Sequence, residues 1–358
     1  MHNMAKVVVG MSGGVDSAVA AYLLKEQGYD VVGVMLRTGP DDSRCCEIED
    51  ARLSARIIGI PFYAFNCIDA FHENVIQPFI CDYLHGLTPN PCVVCNRAIK
   101  WERLLYHARV LGAELVATGH YASVVKLANG RYTVQKAKYA EKDQTYMLCR
   151  LSQEQLAKTL MPLADHSKKE VREIAEKIGL SVASKPDSQE ICFVPDGDYA
   201  AYIERHADCP IPGEGNYIDE NGNVLGRHRG IIHYTVGQRK RLGIALGRPA
   251  YIKKIIPGTN EIVLGEAGEL FCMSLDCKDV NYLSIPTLTP GQTLPCKVRV
   301  RYRHEGQSAM IEAMENDAVR VTFDKPVRFA APGQTAVFYD EDECVIGGGF
   351  ISDVRFDG

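Results

Sequence analysis

The chain has 358 residues, of which 46% are hydrophobic and 24% charged, and its formal net charge is -5. This balance excludes a disordered or collagen-like chain, and the length exceeds the roughly 250–300 residues that one core supports. No apolar stretch reaches the ~20 residues of a membrane span and no signal peptide opens the chain, so we expect a cytoplasmic protein without a membrane partner. Most of the thirteen cysteines are expected to be buried small side chains.

Residues 1–180 alternate between predicted strands and helices. Apolar runs predict strands at Ala5–Met11, Val31–Leu36, Phe62–Asn66 and Leu115–Ala117, and helices at Asp16–Gln27, Glu47–Ile58, Asp69–Leu87 and Arg97–Leu111. Such alternation predicts an α/β fold, a Rossmann-like parallel sheet covered on both faces. Ligands of these sheets bind at the carboxyl ends of the strands.

A hairpin and two more helices are predicted next. Asn129-Gly130 is the favoured two-residue turn of a β-hairpin. The helices are predicted at Ser152–Met161 and Ser167–Ile178, and the second begins with the capping-box spacing of Ser167 and Glu170.

The pattern changes again from about Pro195. A Pro- and Gly-rich stretch opens a small central domain, and beyond Phe271 short alternating segments predict a small all-β barrel or sandwich, for which we favour a barrel. Those segments are Cys296–Tyr302, Ala318–Phe323 and Thr335–Tyr339. We therefore predict domains at 1–195, 196–270 and 271–358.

The first strand leads directly into a glycine-rich loop and a helix. The loop consists of Gly10, Met11, Ser12, Gly13, Gly14, Val15, Asp16 and Ser17. Glycines let the backbone approach a polyanion, and N–H groups at a helix N-terminus form an anion nest. The loop lacks the Gly-Lys-Ser/Thr ending of a Walker A sequence, so the usual kinase or GTPase interpretation fails. The alternative to a phosphate-binding loop is an ordinary turn followed by a helix cap.

Within this loop the segment SGGVDS resembles the PP-loop of the ATP pyrophosphatases. The resemblance implies cleavage of ATP between the α and β phosphates and adenylation of a carbonyl-type oxygen. GMP, asparagine and argininosuccinate synthetases share the motif, so it defines the chemistry better than the substrate.

Three cysteines stand in motifs. Cys92 and Cys95 belong to a Pro-rich segment, TPNPCVVCN, just before a predicted helix, where a thiol has a lowered pKa and more thiolate. Cys192 follows in DSQEICF at the end of the α/β region. Cys92 and Cys95 could alternatively form half of a zinc site, although no second CxxC or HxxH occurs at zinc-finger spacing. Cys192 could alternatively be a buried core residue.

Together the motifs make the chain resemble the tRNA-specific 2-thiouridylases, the MnmA/TrmU family. They are GMSGGVDS, TPNP..CN, ATGHY, KDQTYML, DSQEICF, YTVGQRKRLG, RYRHEG and PGQTAVFY, and they span nearly the whole chain. The resemblance implies a monomeric sulfurtransferase that uses ATP with Mg²⁺ and a persulfide donor protein. Its target would be the wobble uridine, position 34, of Lys, Glu and Gln tRNAs.

The resemblance also implies roles for single residues. Cys95 would be the nucleophile and Cys192 the persulfide carrier, and the two would form a disulfide in each cycle. Leu36 and Gly119 would bind ATP with the loop residues. The target base would lie near Asn90, Pro91 and Cys92, and the tRNA would contact His120, Lys142, Asp143, Gln144, Arg301, Tyr302 and Gln334. From its sequence context alone, His120 could equally be a loop histidine capping a strand end.

One position departs from the family pattern. The family usually has Asn-Pro-Asp before the nucleophile, and here Cys92 takes the place of that Asp. A thiol cannot replace a carboxylate at neutral pH unless it is ionised. Either the Asp role is dispensable, or this subgroup uses the extra thiol. Cys92, Cys95 and Cys192 could instead hold an iron–sulfur cluster, and Cys45-Cys46 is expected to be structural.

Sulfur transfer requires activation because uracil O2 is a poor leaving group. Adenylation converts it into departing AMP, and the N–H nest would stabilise charge on the phosphates. Mg²⁺ would bridge the phosphates, with Asp16 as a candidate ligand. The Cys192 persulfide, or hydrosulfide that Cys95 releases from it, would attack C2, and the resulting disulfide would need reduction.

A basic window suggests the RNA-binding surface. Between Asn221 and Asn260 there are eight Lys or Arg and no Asp or Glu: Arg227, Arg229, Arg239, Lys240, Arg241, Arg248, Lys253 and Lys254. Further on, basic residues alternate around Tyr302 in a strand-like segment, at Lys297, Arg299, Arg301 and Arg303. Basic residues suit contacts with phosphates, and an aromatic ring suits stacking on a base or ribose. The alternative is a basic face that is only solvated and binds no RNA.

Two other functions compete with the thiouridylase interpretation. A PP-loop ligase or amidotransferase acting on a small metabolite would need neither the cysteine pair nor a basic second domain. A non-catalytic tRNA- or metal-binding protein would use the cysteines for zinc.

Overall fold

The computed structural model of the protein describes residues 5–39, 41–186 and 191–356. Its strands are β1 Lys6–Gly10, β2 Asp30–Arg37, β3 Phe62–Asn66, β4 Leu115–Ala117, β5 Ala122–Lys126, β6 Tyr132–Lys136, β7 Thr159–Leu160, β8 Gly215–Ile218, β9 Val224–His228, β10 Tyr251–Ile256, β11 Glu261–Gly265, β12 Phe271–Tyr282, β13 Thr293–Arg299, β14 Gln307–Ala313, β15 Val319–Arg328, β16 Thr335–Tyr339 and β17 Val345–Phe356.

The α-helices are α1 Val15–Glu26, α2 Asp41–Ile58, α3 Ile68–Phe71, α4 Gln77–Leu84, α5 Pro91–Cys95, α6 Glu102–Val110, α7 Gln153–Ala157, α8 Lys168–Lys177 and α9 Tyr199–His206. Two π-helical turns lie at His72–Ile76 and Asn96–Trp101. Short 3-10 helices lie at Ala140–Lys142, Thr145–Leu148, Ile231–His233, Pro257–Thr259 and Ala267–Leu270.

The N-terminal part contains a five-stranded sheet of order β3-β2-β1-β4-β7, in which every pairing is parallel. Its central strand β1 is apolar on both faces, and Val7, Val8 and Val9 are fully buried. Helices α1, α2 and α8 pack on one face and α6 on the other. The predicted Rossmann-like sheet is therefore confirmed, and its carboxyl edge carries the glycine-rich loop.

The helix that carries Cys92 and Cys95 starts earlier than predicted. The predicted start was Arg97, but α5 already begins at Pro91. The Asn90 side chain accepts a hydrogen bond from the Cys92 N–H at 3.2 Å, and proline suits the first helical position because it has no N–H to satisfy. The two cysteines thus lie in a helical turn and not in a loop before it. A π-helical turn, a feature often found at functional sites, follows directly.

Two other predicted helices are too long. The helix predicted at Asp69–Leu87 ends at Leu84 and contains a π-helical turn. The one predicted at Ser152–Met161 ends at Ala157, because the Thr159 hydroxyl accepts a hydrogen bond from the indole of Trp101 at 2.7 Å and the chain then joins the sheet as β7.

Local turn and cap signals are confirmed. Strands β5 and β6 form the hairpin around Asn129-Gly130, and Gly130 has a φ of +83°. The capping box of Ser167 and Glu170 opens α8.

The remaining strands form two all-β units. A mixed four-stranded sheet of order β10-β11-β8-β9 is followed by a closed antiparallel barrel of order β12-β15-β14-β13-β16-β17. The predicted C-terminal barrel is confirmed. Strand β13 ends at Arg299 and not at Tyr302, because the Arg299 guanidinium donates to the carbonyls of Tyr302 and His304 and holds the next residues in a turn. Among the described residues, no helix has the length and apolarity needed to span a membrane.

The barrel packs directly on the N-terminal part. Arg299 of β13 forms a buried ion pair with Asp143 at 2.7 Å, and the exposed fractions of the two side chains are 13% and 4%. The Tyr146 hydroxyl donates to the carbonyl of Thr335 at 2.7 Å. The loop before β16 also contacts the segment that leads to α5, because the Gln334 side chain donates to the Thr88 carbonyl at 2.7 Å.

Candidate active site

The residues predicted to bind ATP lie together at the carboxyl edge of the parallel sheet. Gly10 ends β1, Leu36 lies at the end of β2, and Gly119 follows β4. A Cβ atom on Gly119 would lie 2.7 Å from the backbone of Asp16 and Ser17. Glycine at position 119 therefore allows the β4 end to contact the first turn of α1.

The glycine-rich loop is stiffened by its own side chains and leaves the helix start uncapped. The Ser17 hydroxyl accepts from the Ser12 N–H at 3.1 Å and donates to the Gly14 carbonyl at 3.0 Å. Gly13 has a φ of +74°, and a Cβ atom there would lie 2.4 Å from the carbonyl oxygen of Glu47. No side chain caps α1 at Gly14. Such a helix start suits a phosphate group.

Lys168 lies at this loop and was not identified from the sequence. Its ammonium group contacts both carboxylate oxygens of Asp16, at 2.7 and 2.8 Å, and the Tyr121 hydroxyl donates to the same carboxylate at 2.7 Å. Lys168 occupies the first position of α8, where the helix dipole disfavours a cation. A lysine in that unfavourable position was the one sequence signal that could have identified it.

Lys185 holds the loop from another side. Its ammonium group donates to the carbonyl of Gly13 at 3.3 Å and to the carboxylate of Asp50 at 2.8 Å. The chain then runs through residues 187–190 of the DSQEICF motif, which lie outside the described residues, to Cys192. Lys185 thus connects the phosphate loop to the segment that carries Cys192.

The segments carrying Cys95 and Cys192 pack against the same apolar cluster. Cys95 is half-buried in it, together with Ile191 and Phe193, the two neighbours of Cys192. The Phe193 ring makes edge contacts with Phe79 at 5.2 Å and with Phe71 at 5.7 Å between ring centroids. Cys192 itself is exposed. The structure therefore places the segments of two cysteines that are 97 positions apart in the sequence against the same apolar cluster.

Electrostatic effects connect the thiols with the ATP edge. Cys92 is exposed as a residue, yet burial of its sulfur raises the pKa of the thiol; the charge of Cys192 raises this pKa further, and Lys100 lowers it. Burial and the same Lys100 hold the pKa of His120 well below its usual value, so the imidazole is neutral. His120 lies against Trp101, with ring centroids 5.4 Å apart. Lys100, which sequence reasoning missed, thus acts on both sides of the site.

Neither expected metal site has a complete set of ligands. Within 5–39, 41–186 and 191–356, no group of three or more His, Cys, Asp or Glu side chains is arranged to hold a metal ion. An iron–sulfur cluster on Cys92, Cys95 and Cys192 stays a prediction. Asp16, the candidate Mg²⁺ ligand, is paired with Lys168 and accepts a hydrogen bond from Tyr121, and its role as a metal ligand stays a prediction. The side chains of Cys45 and Cys46 lie outside the described residues.

The residues predicted near the target base and the tRNA occupy different environments. Asn90 caps the helix that Pro91 and Cys92 begin. Asp143 is buried beneath the barrel, and the Gln144 side chain accepts from the Tyr121 N–H at 3.0 Å. Lys142 is half-exposed. Their contacts with RNA stay predictions.

Three further predicted tRNA contacts lie on the barrel. Arg301 donates to the Phe329 carbonyl and covers that ring, 5.0 Å from its centroid. Tyr302 packs edge-on against Tyr146 at 6.2 Å. Gln334 donates to the Thr88 carbonyl at 2.7 Å, in the segment leading to Cys92. Because β13 ends at Arg299, the predicted alternation of basic residues along one strand face does not extend to Arg301 and Arg303.

The basic window of residues 221–260 covers strands β9 and β10 and the loop between them. Ion pairs with acids outside the window involve Arg227, Arg248 and Lys253. The loop residues Arg239, Lys240 and Arg241 are exposed. Beside them is a cavity of about 490 Å³ lined by arginines and apolar residues: Arg239, Arg241, Arg248, Leu242, Ile244 and Leu246. This surface combines positive charge with apolar area, as nucleic-acid-binding surfaces do.

Three family models match successive parts of the chain. Residues 5–196 match the "tRNA methyl transferase HUP domain", residues 202–266 the "tRNA methyl transferase PRC-barrel domain" and residues 273–351 the "Aminomethyltransferase beta-barrel domain". The parallel sheet, the mixed sheet and the closed barrel correspond to these three in order.

The relatives that match over nearly the full length of the chain are named as tRNA-specific 2-thiouridylases. The chain is 50% identical to the tRNA-specific 2-thiouridylase MnmA of Lachnoclostridium phytofermentans over 97% of this chain and 99% of that protein. It is 49% identical to MnmA 1 of Clostridium tetani (98% and 97% covered) and 48% identical to MnmA of Clostridioides difficile (97% and 98% covered). The chain belongs to the tRNA-specific 2-thiouridylase family.

Proposed function

We propose that the protein is a sulfurtransferase that catalyses the ATP-dependent 2-thiolation of the wobble uridine, position 34, of tRNA. The observation that carries this proposal is the packing of the Cys95 and Cys192 segments in one apolar cluster, joined through Lys185 to the phosphate loop. A PP-loop ligase acting on a small metabolite would have no use for this arrangement. The full-length relatives named as thiouridylases support the same reaction.

The first half-reaction activates the base. The O2 atom of uridine attacks the α-phosphorus of ATP, pyrophosphate leaves, and the oxygen becomes part of an AMP leaving group. The uncapped N–H groups of α1 provide positive partial charge that is already in place before the phosphates arrive, and Lys168 and Lys185, paired with Asp16 and Asp50, hold the loop in position. Preorganised charge of this kind accelerates such steps. Mg²⁺ would enter with ATP and would neutralise part of the phosphate charge.

The second half-reaction transfers sulfur. The terminal sulfur of a Cys192 persulfide attacks C2, and the C2–O bond to AMP breaks. The Cys95 thiolate then attacks the Cys192 sulfur, so that the S–S bond to the base breaks and 2-thiouridine leaves with the electron pair. A Cys95–Cys192 disulfide remains, and two electrons from a reductant restore both thiols. Alternatively, Cys95 releases hydrosulfide from the persulfide before C2 is attacked, and the same disulfide results.

The partners follow from this chemistry. A persulfide donor protein reloads Cys192, whose exposure allows access. The tRNA would lie across the basic window and the barrel, with Lys, Glu and Gln tRNAs as the expected acceptors, and the reaction would take place in the cytoplasm.

Replacing either cysteine of the proposed pair tests the relay. Cys95→Ser and Cys192→Ser should each abolish multiple-turnover thiolation with a persulfide donor, because neither variant can complete the transfer. Adenylation of the tRNA should persist in both variants, since this step uses the glycine-rich loop and not the two cysteines. The control is Cys209→Ser, at an exposed cysteine outside the motifs. Multiple turnovers by either motif variant would show that the relay is wrong.

A further inference from the structure

Arginine side chains and aromatic rings alternate where the mixed four-stranded sheet meets the barrel. Arg328, the last residue of β15, lies among three rings, and the distances from its guanidinium carbon to the ring centroids are 4.4 Å for Phe329, 5.5 Å for Phe271 and 5.6 Å for Tyr251. From the mixed sheet, Arg239 lies over the Tyr251 ring at 5.9 Å. Contacts of this kind are attractive. We call this group the arginine–aromatic ladder, and its members are Arg239, Tyr251, Phe271, Arg301, Arg328 and Phe329.

The three arginines of the ladder are not neutralised by acids. Within the part of the chain that the structure describes, none of them forms an ion pair with a carboxylate, whereas Arg248, Arg299 and Arg320 each do. The Nε atom of Arg328 is buried without a hydrogen-bond partner among the described residues. Three uncompensated cations in one group attract anions, and phosphates are the anions that RNA offers.

The backbone at Phe329 is held in an unusual conformation that fixes the ladder. Its φ is +64°, in the left-handed region that a bulky residue rarely adopts. Its N–H donates to the Leu270 carbonyl at 3.3 Å, and its carbonyl accepts from Arg301. Its ring lies beside Gly237 of the central domain, where a Cβ atom would be 2.9 Å from a ring carbon. Strained backbone that neighbouring contacts maintain is often found at functional sites.

One side of the ladder is open to solvent. Phe271 exposes 36% of its surface and Arg239 is exposed, while Tyr251 and Arg328 are half-buried. Bases stack on flat guanidinium groups and on aromatic rings, and this stacking tolerates any base. A base is free to stack on a protein only where it is unpaired, as in the loops of an RNA. The ladder therefore suits an unpaired nucleotide better than a duplex.

The ladder also lies near the predicted position of the target base. A barrel loop joins Phe329 to Gln334, whose side chain donates to the Thr88 carbonyl in the segment that leads to Asn90 and Pro91. Five residues span at most about 18 Å. This separation is short enough for nucleotides of one RNA loop to contact both places.

We propose that the arginine–aromatic ladder binds an unpaired nucleotide of the tRNA loop that contains the target uridine. The base stacks on the rings and guanidinium groups, and the neighbouring phosphates contact the arginines. This inference rests on the proposed function, which makes tRNA the substrate. The ladder holds the loop without reading its sequence, which suits an enzyme that acts on several tRNAs.

Removing a base from the RNA and a ring from the protein tests whether the two are in contact. Full-length tRNA is assembled by ligation so that one loop nucleotide at a time lacks its base, and its affinity for wild-type protein and for Phe271→Leu is measured at one salt concentration. At one position near uridine 34 we expect base removal to weaken wild-type binding about fivefold or more, the lower end of what one base–aromatic stack contributes. In Phe271→Leu the same removal should have almost no effect, because the ring is already absent.

Arg328→Lys provides the second measurement, because lysine keeps the charge and removes the planar group. It should also abolish the effect of base removal, with little change in the dependence of binding on salt. Arg320→Lys is one control, since Asp276 binds that guanidinium at 2.9 Å on the same strand. Phe350→Leu is the other, since Arg150 lies over that ring at 4.4 Å near the last residues of β12. Both controls should retain the full effect of base removal.

Losses from base removal that are equal in wild type and both ladder variants, at every loop position, would overturn the proposal. So would ladder variants that lose free energy of unfolding in urea but bind tRNA like the wild type, since the ladder would then only join the two domains. Binding requires neither ATP nor a sulfur donor, so the two proposals fail separately. Thiolation with equal losses rejects the ladder alone, whereas the expected losses without any thiolation reject the proposed function alone.

Discussion

Three lysines far apart in the sequence lie at the candidate site, and two of them pair with carboxylates. Lys168 and Lys185 lie on the phosphate loop, and Lys100 acts on both His120 and Cys92. The motifs located the glycines and the cysteines, because backbone conformation and thiol chemistry restrict residue type locally. They did not reveal the lysines, because a flexible charged side chain has a defined partner only once the fold has brought the two together.

The half-buried, neutral His120 should make stability dependent on pH. Its folded pKa lies well below the unfolded value of about 6.5, so the unfolded chain binds a proton there that the native protein does not. Stability from this residue is complete above about pH 6.5 and is lost as the pH falls toward the folded pKa. One such proton contributes a slope of up to about 1.4 kcal/mol per pH unit.

His120→Asn should remove that slope. Urea unfolding at pH 7.5, 6.5 and 5.5 would give the free energy of unfolding for wild type and variant, and the wild-type value should fall more steeply below pH 6.5. His85→Asn, at an exposed histidine on the surface, is the control. Parallel curves for wild type and His120→Asn would contradict the assignment of a neutral imidazole at position 120.

At the scale of elements, the loop before β16 is fastened to the segment that precedes α5. The Thr88 N–H donates to the Pro332 carbonyl at 2.8 Å, and the Gln334 side chain donates to the Thr88 carbonyl at 2.7 Å. A Cβ atom on Gly333 would lie 2.8 Å from the Thr88 nitrogen. A barrel loop therefore helps to position the cysteine-bearing helix.

Gly333→Ala should disturb that contact. Gly291→Ala is the matched control, because Gly291 also has a positive φ, +85°, but faces open space, whereas Gly333 has a φ of +89° and meets Thr88. Both variants bear the strain of alanine in the left-handed region, and Gly333→Ala should lose about 1–3 kcal/mol more through overpacking. Denaturant unfolding would measure the free energy of unfolding of both variants, and the rate of Cys95 alkylation would report on the position of α5. Equal behaviour of the two variants would mean that the contact does not position the helix.

Much of the element order could be predicted because the sheet is buried. Strands β3, β4 and β16 have the predicted bounds, since apolar runs and turn residues define them locally. The start of α5 and the strand β7 could not be predicted. Asn90-Pro91 is typical of a loop until the side-chain cap is seen, and β7 depends on the distant indole of Trp101.

At the scale of the whole molecule, the net charge of -5 conceals a basic window. Acids elsewhere in the chain dominate the sum, while the β9–β10 region has eight cations of its own. The barrel and the parallel sheet are joined through the buried pair of Asp143 and Arg299. No sequence pattern indicated this pairing, because it connects residues 156 positions apart.

Binding of tRNA should therefore depend strongly on salt. The double variant Arg239→Ala/Arg241→Ala should weaken binding and reduce the slope of log K against log salt by up to about 2, since each lost phosphate contact removes about 0.7–0.9. The control is Arg320→Ala, an arginine outside the window that Asp276 holds at 2.9 Å. Filter binding between 50 and about 200 mM salt would measure it. An unchanged slope would place the RNA elsewhere.

The central claim is most directly tested by the nucleosides that the protein produces. Purified protein is incubated with ATP, a persulfide donor and an unmodified tRNA transcript that has uridine at position 34, and the digested RNA is analysed by liquid chromatography and mass spectrometry. The proposed function predicts 2-thiouridine that requires ATP and disappears when cytidine replaces uridine 34. A thiolated nucleoside other than 2-thiouridine, thiolation without ATP, or no thiolated nucleoside would contradict it.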